Sequence, residues 1–173
     1  SPENIEGRFA EETDLPVLGV FPFDFKAIAD SEYLADGLAE ELVDQLCHFP
    51  YLRVMSYNTT SNTRCLSSEF QDVCALLGID IALTGSLQVD NECVRFNCKL
   101  HDNRTSEQIW SYKRAVERSI STIQNCEEEI LAGVTSRIGD TSGVLSRYLL
   151  RKIEKRNQRP STFEAILKSH YYQ

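Results

Sequence analysis

The stretch that most constrains the fold is an apolar run that leads directly into a two-faced helical pattern, between positions 17 and 49. Residues 17–23 are apolar without alternation, which is typical of a strand covered on both sides. Asp30 or Ser31 offers an oxygen to cap the helix that follows. The apolar residues of that helix recur every three or four positions and so share one face: Leu34, Leu38, Leu42, Leu46 and Phe49. Such a strand and helix form the first half of a β-α-β unit, which needs a sheet around it.

The rest of the chain extends this sheet. Residues 52–55 predict a short second strand, residues 56–67 a polar loop, and residues 70–77 a second helix that ends at Gly78. Three segments of alternating character follow, around 79–89, 94–100 and 108–116. The turns between them are too short for crossovers, so these strands form an antiparallel meander. Trp110 and Tyr112 share a face of its last strand, where core packing is the first interpretation and a partner surface the second.

Two more helical patterns, over 120–138 and 144–153, complete the order β-α-β-α-β-β-β-α-α. The sequence therefore predicts an α/β (α+β) fold with a mixed five-stranded sheet and helices packed on it. The exposed side of the meander is either covered by the helix of 120–138 or left to solvent. We expect a linker at 1–14, one domain at 15–156, a second linker at 157–160 and the start of another helical region at 161–173.

Charge and composition exclude several classes of function. The formal charge of −8 and the pI near 4.9 argue against broad binding to nucleic acid or to an anionic membrane surface. The basic stretch at 147–159 lacks the interleaved aromatics of a nucleic-acid site, so we interpret it as a solvated connector. No apolar run reaches the roughly 20 residues of a membrane span. Because the chain lacks an initiator Met and ends within a predicted helix, we expect it to be a piece of a longer protein.

The cysteines and histidines form no recognisable ligand motif. The six cysteines show no C-x-x-C pair, and the three histidines lie far apart. We interpret the cysteines as small buried hydrophobes in a reducing cytosol, with a disulfide as the first alternative and a metal site as the second. Gly85-Ser86 lacks the repeated glycines and Lys-Ser/Thr of a phosphate loop, and no Ser or Cys matches a catalytic motif. We therefore predict no catalytic residues, no cofactor and no metal.

Asp36-Gly37, in the first predicted helix, is the most suggestive pair. Glycine inside a helix costs about 1 kcal/mol relative to Ala, so its presence asks for a reason. The structural explanation is close approach of the helix to the sheet. The functional alternative is a ligand contact near the carboxyl ends of the parallel strands, involving Asp24 and Asp36. Such a site predicts a deep pocket that also includes residues 57–64.

Acidic residues line the same helix on the side opposite its apolar face. The periodicity favours a solvated or partner-facing surface over an active site, because paired carboxylates need burial to separate their pKa values. The candidate interaction surface is Asp24, Asp36, Glu40, Glu41 and Asp44.

Three segments resemble one known family, the TolB amino-terminal-like domain. VFPF at 20–23 with YLADGLAEEL at 33–42 resembles its LPF…YFADGLTEEL opening. LLGIDIALTGS at 76–86 is similar to its LGVRYVLEGSV segment, and QIWSYKR at 108–114 to its LWAERYDR segment. The resemblance covers roughly 15–155, and Gly19 departs from it, since the family usually has an aliphatic residue or Ala there. Residues 161–173 resemble the first helix of a tetratricopeptide array.

The resemblance implies a bacterial signalling module that is placed between an effector and tetratricopeptide repeats. The effector is commonly a class III adenylate cyclase or a winged-helix transcription regulator. We therefore expect a non-catalytic, cytoplasmic domain that binds protein partners or its own flanking domains, with homodimerisation through a sheet edge. A periplasmic location remains the alternative if the parent carries a membrane segment upstream. The competing hypothesis is a small-ligand or enzymatic site, nucleotide-like, at the carboxyl ends of the parallel strands.

Overall fold

The computed structural model describes residues 15–27, 33–65, 69–118, 122–139 and 143–156. The predicted linkers at 1–14 and 157–160, the predicted repeat helix at 161–173 and both candidate cap residues, Asp30 and Ser31, lie outside these ranges. The boundaries of the predicted domains therefore stay predictions.

Six strands and five α-helices are formed by the described residues. The strands are β1 (Val17–Val20), β2 (Asp24–Ala27), β3 (Arg53–Val54), β4 (Ile81–Val89), β5 (Cys93–Asp102) and β6 (Glu107–Glu117). The helices are α1 (Leu34–Leu46), α2 (Tyr57–Ser61), α3 (Phe70–Leu77), α4 (Ile123–Ile138) and α5 (Val144–Arg156), with a 3₁₀ turn at Asn62–Cys65.

The sheet is mixed, as the sequence predicts. Its order is β3-β1-β4-β5-β6, and β2 also pairs with β4. β1 is parallel to β3 and β4, whereas β4, β5 and β6 form the predicted antiparallel meander. The fold class and the helices packed on a mixed sheet are thus confirmed, with one strand more than the predicted five.

The additional strand arises because the apolar run at 17–23 is not one continuous strand. Leu18 pairs with Ile81 in β1, but Asp24 pairs with Ser86 in β2, so the chain holds one residue more than β4 between these two points. The interruption lies at Phe21, Pro22 and Phe23. Proline cannot donate to a ladder, and an unmatched residue forces a bulge. This interruption is called the strand break below.

Helices cover the two faces of the sheet unequally. Side chains of α1, α4 and α5 form the main core with one face, including Leu38, Leu42, Ile130 and Leu149. On the other face α3 covers only a small cluster around Phe21, Cys74, Ile79 and Ala82. The side chains of Arg95, Asn97 and Lys99 on that second face of β5 are exposed. Within the described residues, the outer face of the meander is therefore left to solvent, which answers the question that the sequence left open.

Local sequence explains two further differences. The predicted loop at 56–67 contains α2, because the Ser56 side chain accepts a hydrogen bond from the Asn58 backbone at 3.2 Å and caps this short helix. Gly19 packs against Ile79, and a Cβ there would lie 2.8 Å from the Ile79 Cδ1 atom. The departure from the family pattern at Gly19 therefore accommodates a bulky neighbour.

The burial predicted for the cysteines is found for four of the five whose side chains are described. Cys74, Cys93, Cys98 and Cys126 are buried free thiols, and Cys47 is an exposed one. Burial raises the pKa of Cys98 to about 12 and that of Cys74 to about 11, so both remain protonated and unreactive near neutral pH. The Cys65 side chain lies outside the described part of the chain.

Gly37 does not have the role that the sequence suggested. Among the described residues, a Cβ at this position would meet only a carboxylate oxygen of Glu127, at 4.0 Å, so the glycine does not bring α1 close to the sheet. Gly133 in α4 differs, since a Cβ there would overlap the hydroxyl group of Tyr112. Gly133 is therefore the glycine at which a helix, α4, comes close to the sheet.

These two helical glycines predict opposite effects of the same substitution. Gly37→Ala is expected to raise the free energy of unfolding by about 0.5–1 kcal/mol, because alanine favours the helix and nothing opposes its methyl group. Gly133→Ala is expected to lower it by about 1–3 kcal/mol, because Tyr112 must leave its position. Urea unfolding of both variants checks this, and destabilisation by Gly37→Ala would show that the helix needs a glycine there.

Candidate functional site

A carboxylate of α4 lies beside the acidic face that the sequence predicts on α1. Glu40, Glu41 and Asp44 are exposed on α1, which packs against α4. Burial raises the pKa of Glu127 on α4, and the neighbouring carboxylates of Glu41 and Glu128 raise it further. We call Glu40, Glu41, Asp44, Glu127 and Glu128 the acidic ridge. The sequence alone does not indicate that Glu127 and Glu128 share a surface with α1, although the run of three glutamates at 127–129 is visible in it.

Asp36 lies one helical turn before Glu40 on α1, whereas Asp24 lies on β2. Asp36 is half-buried, and the Tyr57 hydroxyl donates a hydrogen bond of 2.6 Å to its Oδ1 atom. Asp24 is exposed at the start of β2. Both residues also line one cavity.

That cavity lies over the carboxyl end of β1, at the strand break. Its volume is about 530 Å³, and it opens to solvent. Phenylalanines and carboxylates dominate its lining: Phe21, Phe23, Phe25, Phe70, Asp24 and Asp36. Thr63 also lines it, so one residue of the 57–64 stretch takes part, as the ligand-site hypothesis expected. We call it the strand-break pocket.

A smaller hollow of about 230 Å³ lies beside it, beyond Phe70. His101 Nε2 is 3.5 Å from the Thr84 hydroxyl there. Burial and the charge of Lys99 lower the pKa of His101, so the imidazole is neutral near pH 7. Asp102 also lines this hollow, but its carboxylate accepts hydrogen bonds from Tyr148 and Arg104.

Asp102 is a buried carboxylate that the sequence presented as a turn residue. Its side chain is 1% exposed and accepts hydrogen bonds from the Tyr148 hydroxyl at 2.9 Å and from the Arg104 backbone at 3.0 Å. Burial alone raises its pKa, but the hydrogen bonds from Tyr148 and Arg104 outweigh that effect and leave the pKa below its usual range. The carboxylate stays ionised and fixes α5 to the β5–β6 turn.

Trp110 and Tyr112 have the packing role that the sequence favoured. Both are half-buried, stack with ring centroids 5.6 Å apart and pack against the main core. The Arg137 guanidinium lies 4.8 Å from the centre of the Tyr112 ring and covers it. These aromatic rings therefore join the last strand of the meander to α4.

The described residues contain no helix long and apolar enough to cross a membrane. Among the same residues, no three His, Cys, Asp or Glu side chains gather as a metal site requires.

No protein-family model matches the chain. A curated protein of Rhizobium meliloti (strain 1021) named "Putative adenylate cyclase 3" is 23% identical over 158 residues. The match covers 89% of this chain but only 26% of that protein, so the chain spans about a quarter of its relative.

Solved structures show the same fold at low identity. Lipoprotein GNA1162 from Neisseria meningitidis aligns with a TM-score of 0.52 and 13% identity, over 71% of this chain and 97% of that one. A subunit of the PelC dodecamer from Paraburkholderia phytofirmans aligns with a TM-score of 0.53 and 11% identity, over 73% of this chain and 90% of that one. TolB from Acinetobacter baumannii aligns with a TM-score of 0.47 and 16% identity, over 75% of this chain and 30% of that one. The first two likenesses show a shared fold with a mixed sheet and packed helices.

The acidic ridge predicts a pH-dependent stability effect. The pKa of Glu127 in the folded state lies above its value of about 4.5 in the unfolded chain, so ionised Glu127 destabilises the fold at neutral pH. Glu127→Gln is expected to increase stability at pH 7. This gain should shrink as the pH falls through the raised pKa and be absent below about 4.5. Denaturant unfolding across this pH range measures it.

Glu129→Gln is the matched control. The Glu129 carboxylate forms an ion pair of 3.1 Å with Arg114, and both side chains are about half exposed. Its removal should slightly destabilise the fold, by no more than about 1 kcal/mol. Equal effects of the two substitutions would contradict repulsion within the ridge.

Proposed function

We propose that this chain is a non-catalytic signalling and interaction domain. In the longer parent protein it couples a tetratricopeptide array to an upstream effector, an adenylate cyclase or a transcription regulator. It acts in the bacterial cytoplasm, in keeping with its free thiols. The observation that carries the proposal is the acidic ridge, in which burial and, to a smaller extent, the nearby carboxylates of Glu41 and Glu128 raise the pKa of Glu127.

The ridge suits a protein partner or a flanking domain with a basic surface. Like charges held together without counterions destabilise a fold, and an opposite charge on a partner would offset that repulsion. The sequence similarity to the protein named "Putative adenylate cyclase 3" supports a cyclase as the effector, because it extends over 89% of this chain. The effector activity of the longer parent protein belongs to the same proposal.

The outer edge of β6 offers a second contact. Within the described residues no strand pairs with this edge, which is 11 residues long. Its backbone groups are available to a strand from a second copy, so we propose homodimerisation there.

The test uses the full-length parent and asks whether ridge and repeats act through one route. One variant neutralises the ridge with Glu40→Gln, Glu41→Gln and Glu127→Gln, and another deletes everything after residue 156. Each change is expected to alter the effector's output, and combining them should add nothing to the deletion alone, since both interrupt the same coupling. The measurement is the rate of the effector reaction, or DNA binding for a regulator.

Glu69→Gln, Glu92→Gln and Glu117→Gln form the control, because these exposed residues lie outside the ridge and change the net charge equally. The effector output of this control variant should match that of the wild-type parent protein. Additive effects of ridge variant and deletion, or an equal effect of the control, would contradict the proposed coupling.

A small-ligand site at the carboxyl ends of the parallel strands remains the second candidate function. The strand-break pocket favours it, because Asp24 and Asp36 line the same space there.

A further inference from the structure

We propose that the outer face of the meander binds the acidic ridge of a second copy of this chain. The inference deepens the proposed function and rests on it, because it names the basic surface that the ridge contacts.

The outer face of the meander is an open, polar side of the sheet. On β5 it presents Arg95, Asn97 and Lys99, and the register places Ser111 and Lys113 beside them on β6. All five side chains are exposed. In the described part of the chain, the small cluster beneath α3 covers only the neighbouring part of this side of the sheet. A flat partner can therefore reach the side chains of the meander.

The charge of this face is opposite to that of the chain as a whole. The chain has a formal charge of −8, yet cations outnumber carboxylates on the outward-pointing positions of β2, β5 and β6. The cations are Lys26, Arg95, Lys99 and Lys113, and the carboxylates are Asp24 and Glu117. In the turn before β5, Asp90 pairs with Arg95 at 2.5 Å. We call the four cations the basic face.

Two lysines lie in the middle of the basic face. Lys99 is directly opposite Ser111, and Lys113 is directly opposite Asn97, so the two lysines lie on a diagonal of one antiparallel pair. Residues on such a diagonal are about 7–8 Å apart. The ion pairs among the described residues include neither lysine. Burial and then the charge of Lys99 lower the pKa of His101, two residues further along the same face.

Protection of a sheet edge does not account for this arrangement. Lysines are common on edge strands, where they discourage pairing with another chain. Lys99, however, lies on β5, which pairs with β4 on one side and with β6 on the other. Like charges this close repel each other, and a negatively charged partner would offset the repulsion.

The acidic ridge has the charge and the spacing that match the two lysines. Glu40 and Asp44 lie one turn apart on α1, about 6 Å along the helix. The carboxylate of Glu41 lies close enough to Glu127 of α4 to raise its pKa, after burial. Helix α1 contains no lysine or arginine. Two neighbouring helices therefore present a uniformly negative surface, on which the ammonium groups of the basic face can pair.

The two surfaces lie on opposite sides of the molecule, so one copy cannot bring them together. The ridge belongs to helices that pack on the core side of the sheet, and the basic face is the other side. Contact therefore runs from the ridge of one copy to the basic face of the next, which is a heterologous arrangement. It forms open chains or a closed ring and leaves the edge of β6 free. Because the contact depends on exposed charges, it is weak and sensitive to salt.

Charge reversal tests this contact. Lys99→Glu/Lys113→Glu reverses the basic face, and Glu40→Lys/Glu41→Lys reverses the ridge. Sedimentation equilibrium at low salt and up to millimolar concentration measures self-association of the chain. Wild type is expected to associate, and each reversed variant alone should lose about tenfold or more in its association constant.

An equimolar mixture of the two reversed variants is expected to regain the association. The unchanged ridge of one variant then meets the unchanged basic face of the other, and the two reversed surfaces also match. Recovery in the mixture would show in addition that both variants fold.

Arg147→Glu/Arg151→Glu is the matched control, because these exposed residues of α5 change the net charge as much as the reversed basic face does. It should weaken association far less. Residues 1–14 are a rival occupant, since five of them are acidic. Their deletion should leave the amide shifts of β5 and β6 unchanged in the dilute chain, and a change there would assign the basic face to this segment and overturn the proposal.

Three further results would contradict the contact between ridge and basic face. They are a wild-type chain that stays monomeric, a mixture that does not recover, and association that both reversals leave intact, as pairing at the β6 edge would be. The coupling function would survive each of them if the ridge variant of the full-length parent still altered the effector's output, since the ridge would then meet a different basic surface.

Discussion

The structure depends on β4, the strand at which the parallel part of the sheet meets the antiparallel meander. On one side it runs parallel to β1 and β2, and on the other it runs antiparallel to β5 over its whole length. Gly85 lies at its centre, where a Cβ would overlap the backbone carbonyl of Asn97. A glycine there allows the two halves of the sheet to meet, and the helices pack on the surface that results.

Both candidate sites follow from this arrangement. The chain before α1 carries one residue more than β4 over the same span, so its pairing is irregular between β1 and β2, where the Phe21 backbone still donates a hydrogen bond to Leu83 at 3.0 Å. The strand-break pocket lies at this irregularity. Because α1 and α4 pack side by side on one face of the sheet, carboxylates distant in sequence come together as Glu41 and Glu127 do. The buried pair of Asp102 and Tyr148 then fixes α5, the helix that leads toward the carboxyl-terminal residues, to the end of β5.

Sequence periodicity predicted the sheet, its direction changes and the main helices, because each of these is encoded locally. It could not locate the strand break, since a run that is buried on both faces shows no alternation that an extra residue would disturb. Pro22 was the available signal. Asp102 also escaped notice, because Asp-Asn-Arg is typical of a turn and gives no indication that Tyr148 lies 2.9 Å away. The acidic ridge could not be predicted, because it depends on which helices are neighbours, and the periodicity within one helix does not show that.

Native-state hydrogen exchange, read residue by residue by NMR, tests most directly whether β4 holds the fold together. The hydrogen-bonded amides of Ile81–Val89 should exchange only through global unfolding, with a free energy equal to that from denaturant unfolding. Amides of β3 and of the outer edge of β6 should exchange sooner. If β4 instead opened through a smaller fluctuation while the helices stayed protected, the sheet would not be organised around this strand.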